Sequence, residues 1–205
     1  MWLNMNKIYY EMQKKELEQI NTRKKLLLHS CCAPCSSHVI SLLTKYFDIT
    51  ILYYNPNISP IQEYNKRKEE QIKLIKKIPT LGKINIIDCD YDNDIYKEKI
   101  KGYENCPERG ARCNICFLLR LEKTAKIAKN KNFEYFCTTL TVSPYKDSNL
   151  INQIGEQLTK KYDIKWLYSD FKKDNGYKKS IELSKKYNLY RQNYCGCIYS
   201  QIKRT

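Results

Sequence analysis

The strongest constraint on the fold is a pattern of short apolar runs that alternate with helix-length stretches. Residues 26–29 form the first run, and residues 48–54, rich in β-branched and aromatic side chains, stop at Asn55-Pro56-Asn57. Similar runs recur at 84–88, 134–137 and 164–168. The helix-length segments are 36–46, 61–77, 114–130, 150–162 and 177–187. Because strands separated by helices indicate βαβ units, the sequence predicts an α/β domain with a mainly parallel sheet of about five strands flanked by helices.

The chain has 205 residues, enough for one compact domain with its own core. Residues 1–24 precede the first strand-like run and are largely polar, so we expect a helical extension there, followed by the α/β domain at 25–205. No stretch approaches the roughly 18 consecutive apolar residues of a membrane-spanning helix. The N-terminus also lacks the apolar segment of a secretory signal. We therefore expect a cytoplasmic protein with no membrane partner.

The chain is strongly basic, with 37 Lys and Arg against 22 Asp and Glu and a formal net charge of +15. A charge of this sign favours an anionic partner such as RNA. The abundance of Lys, Ile, Asn and Tyr is also what an A/T-rich genome produces, so the charge permits RNA binding without establishing it.

Ten cysteines are unusual for a chain of this length. Clustered cysteines in a reducing compartment more often bind metal or carry out redox chemistry than form structural disulfides. The first cluster, Cys31-Cys32-Ala33-Pro34-Cys35, has adjacent cysteines that suit two ligands of one metal cluster better than a disulfide with each other. Cys35 falls near a helix start, where thiolates are favoured. The alternative is that these are small buried apolar side chains.

This first cluster follows the first core strand directly, at the position of the phosphate-binding loop in Rossmann-like nucleotide-binding domains. The glycines of such a loop are missing, which argues against an ATP-dependent enzyme. In an open α/β sheet, ligands bind at the carboxyl ends of the strands, so the cysteines lie where a site is expected.

Two further cysteine pairs follow. Cys113 and Cys116 form a C-x-x-C at a helix start, and together with Cys31 and Cys32 they would supply the four soft ligands of a [4Fe–4S] cluster, with structural zinc as the competing interpretation. Cys195-Gly196-Cys197 would close a very short disulfide ring, typical of a labile, catalytic dithiol. A further metal-binding pair is the alternative there. We assign no chemistry to Cys89, Cys106 or Cys137.

Several ordered motifs resemble the QueH type of epoxyqueuosine reductase, over nearly the whole chain from residue 25. They are HSCCAPCS at 29–36, YYNPNI at 53–58, RCNICF at 112–117, TLTVSP at 139–144, DFKK at 170–173 and YRQNYCGC at 190–197. The resemblance implies a Rossmann-like (HUP-like) fold. It also implies reduction of the epoxide of epoxyqueuosine, at the wobble position of tRNA, to queuosine without cobalamin.

The resemblance also implies roles for individual residues. Cys31, Cys32, Cys113 and Cys116 would hold a [4Fe–4S] cluster, and Cys195 and Cys197 would form a redox-active disulfide. A second, mononuclear iron is implied beside the cluster, with Cys35 as a candidate ligand. The electrons would come from a donor that the sequence does not identify.

Other site residues are predicted from their position in or beside these motifs. Tyr194, Asp147 and His29 are candidate proton donors or substrate contacts. An anticodon loop is bound by stacking on aromatic side chains and by basic contacts to phosphate, so candidate RNA contacts are Lys146, Lys172, Lys173 and Arg191. The function predicted is that of a tRNA-modifying oxidoreductase. The alternative is a zinc-stabilised RNA-binding module without catalysis.

Overall fold

The computed structural model describes the backbone of residues 2–201 and the side chains of residues 8–200. One parallel sheet of five strands forms its centre, in the order β3-β2-β1-β4-β5. The strands are β1 (Lys24–His29), β2 (Phe47–Tyr53), β3 (Asn85–Asp88), β4 (Tyr135–Thr138) and β5 (Lys165–Trp166). The predicted α/β fold is therefore confirmed, although β5 is shorter than the run at 164–168 from which it was expected.

Eight α-helices and one short 3-10 helix connect and flank these strands within the described part of the chain. The α-helices are α1 (Trp2–Glu18), α2 (Ala33–Leu43), α3 (Ile61–Lys77), α4 (Asn93–Lys99), α5 (Ala111–Asn130), α6 (Ser148–Tyr162), α7 (Gly176–Lys186) and α8 (Ile198–Gln201). The 3-10 helix, Thr139–Val142, follows β4 directly. Among the described helices, none is both long and apolar enough to cross a bilayer.

The two largest parts of the core lie on opposite faces of the sheet. Leu26 and Leu28 of β1 point into one part and Leu27 into the other, as expected for a strand with alternating faces. Because β1 is covered on both sides, its apolar residues are continuous rather than alternating with polar ones.

The N-terminal helix α1 packs against this domain. Tyr9 stacks on Tyr168 with ring centroids 5.8 Å apart, and the Gln13 side chain accepts a hydrogen bond of 3.1 Å from the Asp170 backbone N–H. Leu17 is buried in the same core cluster as Leu26. We propose that residues 1–24 form an extension of the α/β domain at 25–205, attached to it through these contacts.

The strand order creates a switch point between β1 and β4. From β1 the chain adds β2 and β3 on one side, then crosses back to add β4 and β5 on the other. His29 of β1 is level with Thr138 of β4, so the two segments that leave the sheet after them diverge from a common crevice. Ligand sites of open α/β sheets lie in such crevices.

Candidate metal and redox site

Three cysteine sulfurs lie together at the switch point. Cys31, Cys32 and Cys35 have Sγ atoms all within 4.8 Å of one another, and those of Cys31 and Cys32 are 3.8 Å apart. Cys32 is the extended N-cap of α2, and the following Ala33-Pro34 places Cys35 in the first helical turn. Thr139 fixes the loop from the β4 side, since its hydroxyl accepts from the Cys31 N–H at 3.2 Å and donates to the Cys31 sulfur at 3.4 Å.

This arrangement favours a thiolate at Cys32. Hydrogen bonds from the neighbouring thiols of Cys31 and Cys35 lower the pKa of Cys32 well below its usual value. Cysteine binds metal as the thiolate, so a three-thiol group of this kind could hold a metal ion.

Cys113 and Cys116 occupy the first two turns of α5, which begins at Ala111, three residues before the predicted helix start at 114. The backbone N–H of Arg109 donates to the Cys113 sulfur at 3.3 Å, and Cys116 is buried. The compact thiol group found among the described residues contains Cys35 rather than this pair. Cys113 and Cys116 instead line a narrow cleft together with Cys195 and Cys197.

Cys195 connects the two thiol regions. It lines the cleft with Cys113 and also a larger cavity, of about 120 Å³, into which Cys31, Cys32 and Cys35 open. Its sulfur accepts a hydrogen bond of 3.1 Å from Lys146 Nζ. Cys197 is buried, with its sulfur 3.2 Å from the Tyr96 hydroxyl. The ten cysteines are all free thiols, so a Cys195–Cys197 disulfide stays a prediction.

Buried cations surround these sulfurs. Arg120 on α5 is 2% exposed, and its Nε donates to the Cys116 carbonyl at 3.1 Å while its Nη2 has no hydrogen-bond partner. No carboxylate of the described residues lies within ion-pair distance of this guanidinium. The nearby thiols Cys116, Cys195 and Cys31 raise the pKa of Arg120 despite its burial.

The buried charge of Arg120 provides a test of whether the surrounding residues fit a metal cluster. A buried cation is costly unless an anion compensates it. Iron-sulfur clusters ligated by thiolates are anionic, and the wall formed by Arg120 and Lys146 faces the thiols that would hold one. The donor set and the charge of the cavity wall therefore fit such a group.

Two buried arginines of the site, Arg120 and Arg67, were not predicted from the sequence. Arg67 of α3 is buried, paired with Glu63 at 2.6 Å, and donates from Nη1 to the Cys195 carbonyl at 3.2 Å. A signal for Arg120 was present, because Cys113, Cys116 and Arg120 are spaced to share one face of a helix. No local pattern marked Arg67, which comes to Cys195 from 128 residues away.

Two of the three predicted proton donors occupy structural positions. His29 is fully buried, with Nδ1 2.8 Å from the Thr138 hydroxyl and Nε2 3.1 Å from the Tyr54 carbonyl oxygen. Burial lowers the pKa of His29 to about 3, so its ring is neutral near pH 7. Asp147 caps α6 by accepting from the N–H of Asn149 at 2.9 Å. Only Tyr194, which lines the larger cavity, lies beside the thiols.

The four predicted RNA contacts differ in burial and in the groups that they contact. The Lys146 side chain is 9% exposed and points to Cys195, so the structure places it in the wall of the larger cavity, and its contact with RNA stays a prediction. Lys172 is held 2.8 Å from the buried Asp170 carboxylate. Lys173 is exposed, and Arg191 is exposed at the mouth of the larger cavity, with its guanidinium over the Tyr177 ring at 5.4 Å.

Comparison with known proteins gives consistent matches. The family model described as epoxyqueuosine reductase QueH matches residues 26–203. A relative of the same name from Haemophilus influenzae is 45% identical over 190 residues, which cover 91% of this chain and 76% of the relative. The relative from Streptococcus pyogenes is 40% identical over 97% of this chain and 78% of its own length. The one from Thermotoga maritima is 36% identical over 87% of this chain and 91% of its own length.

Proposed function

Because this chain belongs to the QueH family of epoxyqueuosine reductases, we propose that it reduces the epoxide of epoxyqueuosine in tRNA to give queuosine. The observation that carries the proposal is the convergence of three cysteine motifs, from distant parts of the chain, on the carboxyl edge of β1 and β4. A binding module without catalysis has no need of a dithiol beside a metal site, and the family matches do not favour it.

The cysteines proposed to hold a [4Fe–4S] cluster are Cys31, Cys32, Cys113 and Cys116. Support comes from their chemistry and from Cys195, which lines both the cavity of the first pair and the cleft of the second. Cys35, which lies within 4.8 Å of the first pair, is the proposed ligand of a second iron. When bound, such a cluster supplies electrons one at a time.

Removal of the epoxide oxygen as water needs two electrons and two protons. We assign the two electrons to the dithiol of Cys195 and Cys197, whose oxidation to a disulfide releases two. The larger cavity brings Cys195 to the same wall as Tyr194 and Lys146, so a substrate in this cavity would meet the dithiol and a proton donor together. The positive wall would also stabilise negative charge on the departing oxygen.

The mouth of this cavity suits a nucleotide from a single-stranded loop. Tyr145, Tyr177 and Arg191 line it, and Tyr145 is half exposed. Aromatic rings beside a guanidinium can stack on a base and contact its phosphate. We propose the wobble nucleotide of tRNA as the occupant and a cytoplasmic location for the reaction.

Complementation tests the proposed function. The gene is expressed in a bacterium that lacks its own epoxyqueuosine-reducing enzyme, and tRNA nucleosides are analysed by mass spectrometry. The proposal predicts that queuosine appears and the epoxide disappears. Persistence of the epoxide, with iron-loaded protein present in the cells, would contradict it. Colourless protein with stoichiometric zinc and no iron would instead support the binding module.

A further inference from the structure

Lys146 carries a buried charge whose closest partner is a sulfur atom. It lies between the 3-10 helix and α6, and its side chain is 9% exposed. Its Nζ donates to the Cys195 sulfur at 3.1 Å, whereas the Glu108 carboxylate is 3.8 Å away. A buried ammonium requires a compensating anion. A thiolate at Cys195 would lie closer to Lys146 Nζ than the Glu108 carboxylate does.

The two thiols of the Cys195–Cys197 pair have different surroundings. Cys195 opens into both cavities and faces a cation. Cys197 is buried in an apolar cluster with Ile100 and Cys116, against the Tyr96 hydroxyl. The geometry therefore distinguishes Cys195 as the member of the pair that faces a cation and lines the larger cavity.

The charges around Lys146 and Cys195 agree with a thiolate–ammonium pair. Burial alone would raise the pKa of Cys195, but Lys146 and Arg120 lower it below its ordinary value. Burial alone would lower the pKa of Lys146, but the Cys195 sulfur raises it. The other titratable or charged groups around the pair are Glu108, Arg67, Arg112, Arg120, Tyr194, Cys113, Cys116 and Cys197.

We infer that Lys146 is a catalytic residue, which keeps Cys195 as the reactive thiolate and donates one of the two protons that convert the epoxide oxygen to water. The inference rests on the proposed function and deepens it. The reduced site holds a Cys195 thiolate, a Lys146 ammonium and a Cys197 thiol. Formation of the Cys195–Cys197 bond releases two electrons, which reduce the epoxide to an alkene. Lys146 and Cys197 each release one proton, so the departing oxygen leaves as water and the charge balances.

The proton transfer follows from the change in charge at Cys195. Oxidation to the disulfide removes the negative charge that holds the Lys146 proton in place. Burial and the nearby Arg120 guanidinium then favour neutral Lys146, whereas the Glu108 carboxylate, 3.8 Å from Nζ, opposes the loss of its proton. Since Lys146 lines the larger cavity, the proton is released on the side where the substrate would bind. Electron loss at the dithiol is thereby coupled to proton delivery.

The first experiment measures which cysteine reacts and at what pH. Iron-loaded, reduced protein receives a short pulse of iodoacetamide between pH 6 and pH 10, a range of about four units around the ordinary thiol pKa. Tryptic peptide 192–203 contains both cysteines of the pair, and fragment-ion mass spectrometry separates their modification. The variants are Lys146→Gln, Lys146→Arg and, as a control, Lys160→Gln, whose side chain on α6 is 77% exposed.

In the unmodified chain, Cys195 is expected to react faster than Cys197. Its alkylation rate should have its inflection at a lower pH than that of an ordinary thiol. Lys146→Gln should shift this inflection upward by about one unit and slow Cys195 about tenfold near pH 7. Lys146→Arg should preserve the profile because it keeps the cation. A Lys146→Gln profile identical to that of the unmodified chain, at equal iron content, would overturn the inference.

The second experiment separates charge from proton donation. Single-turnover reduction of epoxyqueuosine-containing tRNA is measured with the same variants. Arginine keeps the positive charge but does not release a proton at these pH values, so Lys146→Arg should lose turnover on the order of 100-fold despite its intact alkylation profile. Turnover by Lys146→Arg equal to that of the unmodified chain would overturn the role in proton transfer.

The two experiments also distinguish this inference from the proposed function. If the unmodified chain fails to reduce the epoxide while the alkylation profiles differ as expected, the thiolate–ammonium pair stands and the proposed reaction fails. If the unmodified chain reduces the epoxide and both variants match it in both measurements, the proposed function stands and the role of Lys146 fails.

Discussion

Two regions of the molecule bury charged side chains, and they do so differently. Under α1, the fully buried Asp170 is compensated by Lys172, whose Nζ lies 2.8 Å from Asp170 Oδ1. At the carboxyl edge of β1 and β4, Arg120 is equally buried, yet it faces cysteine sulfurs and carbonyl oxygen and has no carboxylate partner among the described residues. The first region pairs its buried carboxylate with a lysine, and the second has a positive wall beside thiols.

The difference separates structural from functional burial of charge. A buried charge costs folding free energy unless it is paired, so an uncompensated one is retained where a ligand supplies the opposite charge. At Arg120 the thiolates, and the anionic group that they would hold, meet this requirement. Substitutions at the two regions should consequently act on different properties, iron content at one and folding stability at the other.

The largest effect is expected from Cys113→Ser. Because Cys113 is a proposed cluster ligand, its loss should remove the bound iron and, with it, turnover. The absorbance band at about 400 nm that makes the protein brown should also disappear. Iron analysis of anaerobically purified protein checks this. Cys137→Ala is the matched control, since Cys137 is fully buried in β4 and should keep full iron content. A Cys113→Ser protein with unchanged iron would refute the ligand assignment.

Cys195→Ser should separate the dithiol from the metal site within the same region. We expect iron content and cluster absorbance to be retained while turnover is abolished, because the serine hydroxyl cannot form a disulfide with Cys197. Absorbance and a single-turnover assay on the same sample measure both properties. Bleaching of the protein would show that Cys195 is itself a ligand.

Lys172→Met tests the buried ion pair under α1. It leaves the buried Asp170 carboxylate without its cation, so the free energy of unfolding should fall by about 1 to 3 kcal/mol. Urea unfolding of iron-loaded protein measures this, and iron content should not change. Lys160→Met on the exposed face of α6 should stay within about 0.5 kcal/mol. A stability loss no larger than that of the control would remove the contrast between the two regions.

Arg120→Met makes the complementary test. Removal of the uncompensated cation should change the unfolding free energy of metal-free protein by less than about 1 kcal/mol, since the lost hydrogen bond to Cys116 is offset by relief of the buried charge. Iron should nevertheless be lost at a lower chelator concentration than in the unmodified chain. Unchanged resistance to chelator would show that Arg120 does not stabilise an anionic group.

The smallest effect concerns His38, on the side of α2 that faces α1 and α7. Burial and the nearby Lys179 lower the pKa of His38 in the folded protein. The unfolded chain therefore binds more protons below the ordinary histidine value of about 6.5, and this contribution to stability is lost as the pH falls. His38→Gln should flatten the decline in urea midpoint between about pH 6.5 and pH 5. An unchanged slope would contradict the assigned direction.

The sequence predicted the fold because β1, β2 and β4 are largely apolar, and β3 and β5 lie within the apolar runs at 84–88 and 164–168. The position of the first cysteine cluster after β1 also followed from local pattern, since a parallel sheet places that loop at its carboxyl edge. The short helix α4 was missed because Asn93–Lys99 is polar and lacks a helix-length apolar period.

The remainder of the candidate site depends on contacts between distant residues. Lys146 looks like a surface lysine in sequence, and only the approach of Cys195, 49 residues later, makes it a buried partner of a thiol. Arg67 reaches the same segment from α3. Such contacts are determined by tertiary packing, and no local periodicity encodes them.

The most direct test of the central claim is anomalous diffraction at the iron edge from crystals of the protein purified without oxygen. We predict one cluster of iron in contact with the sulfurs of Cys31, Cys32, Cys113 and Cys116, beside Arg120. Metal held by Cys31, Cys32 and Cys35 alone, with the sulfurs of Cys113 and Cys116 remote from it, would contradict the claim.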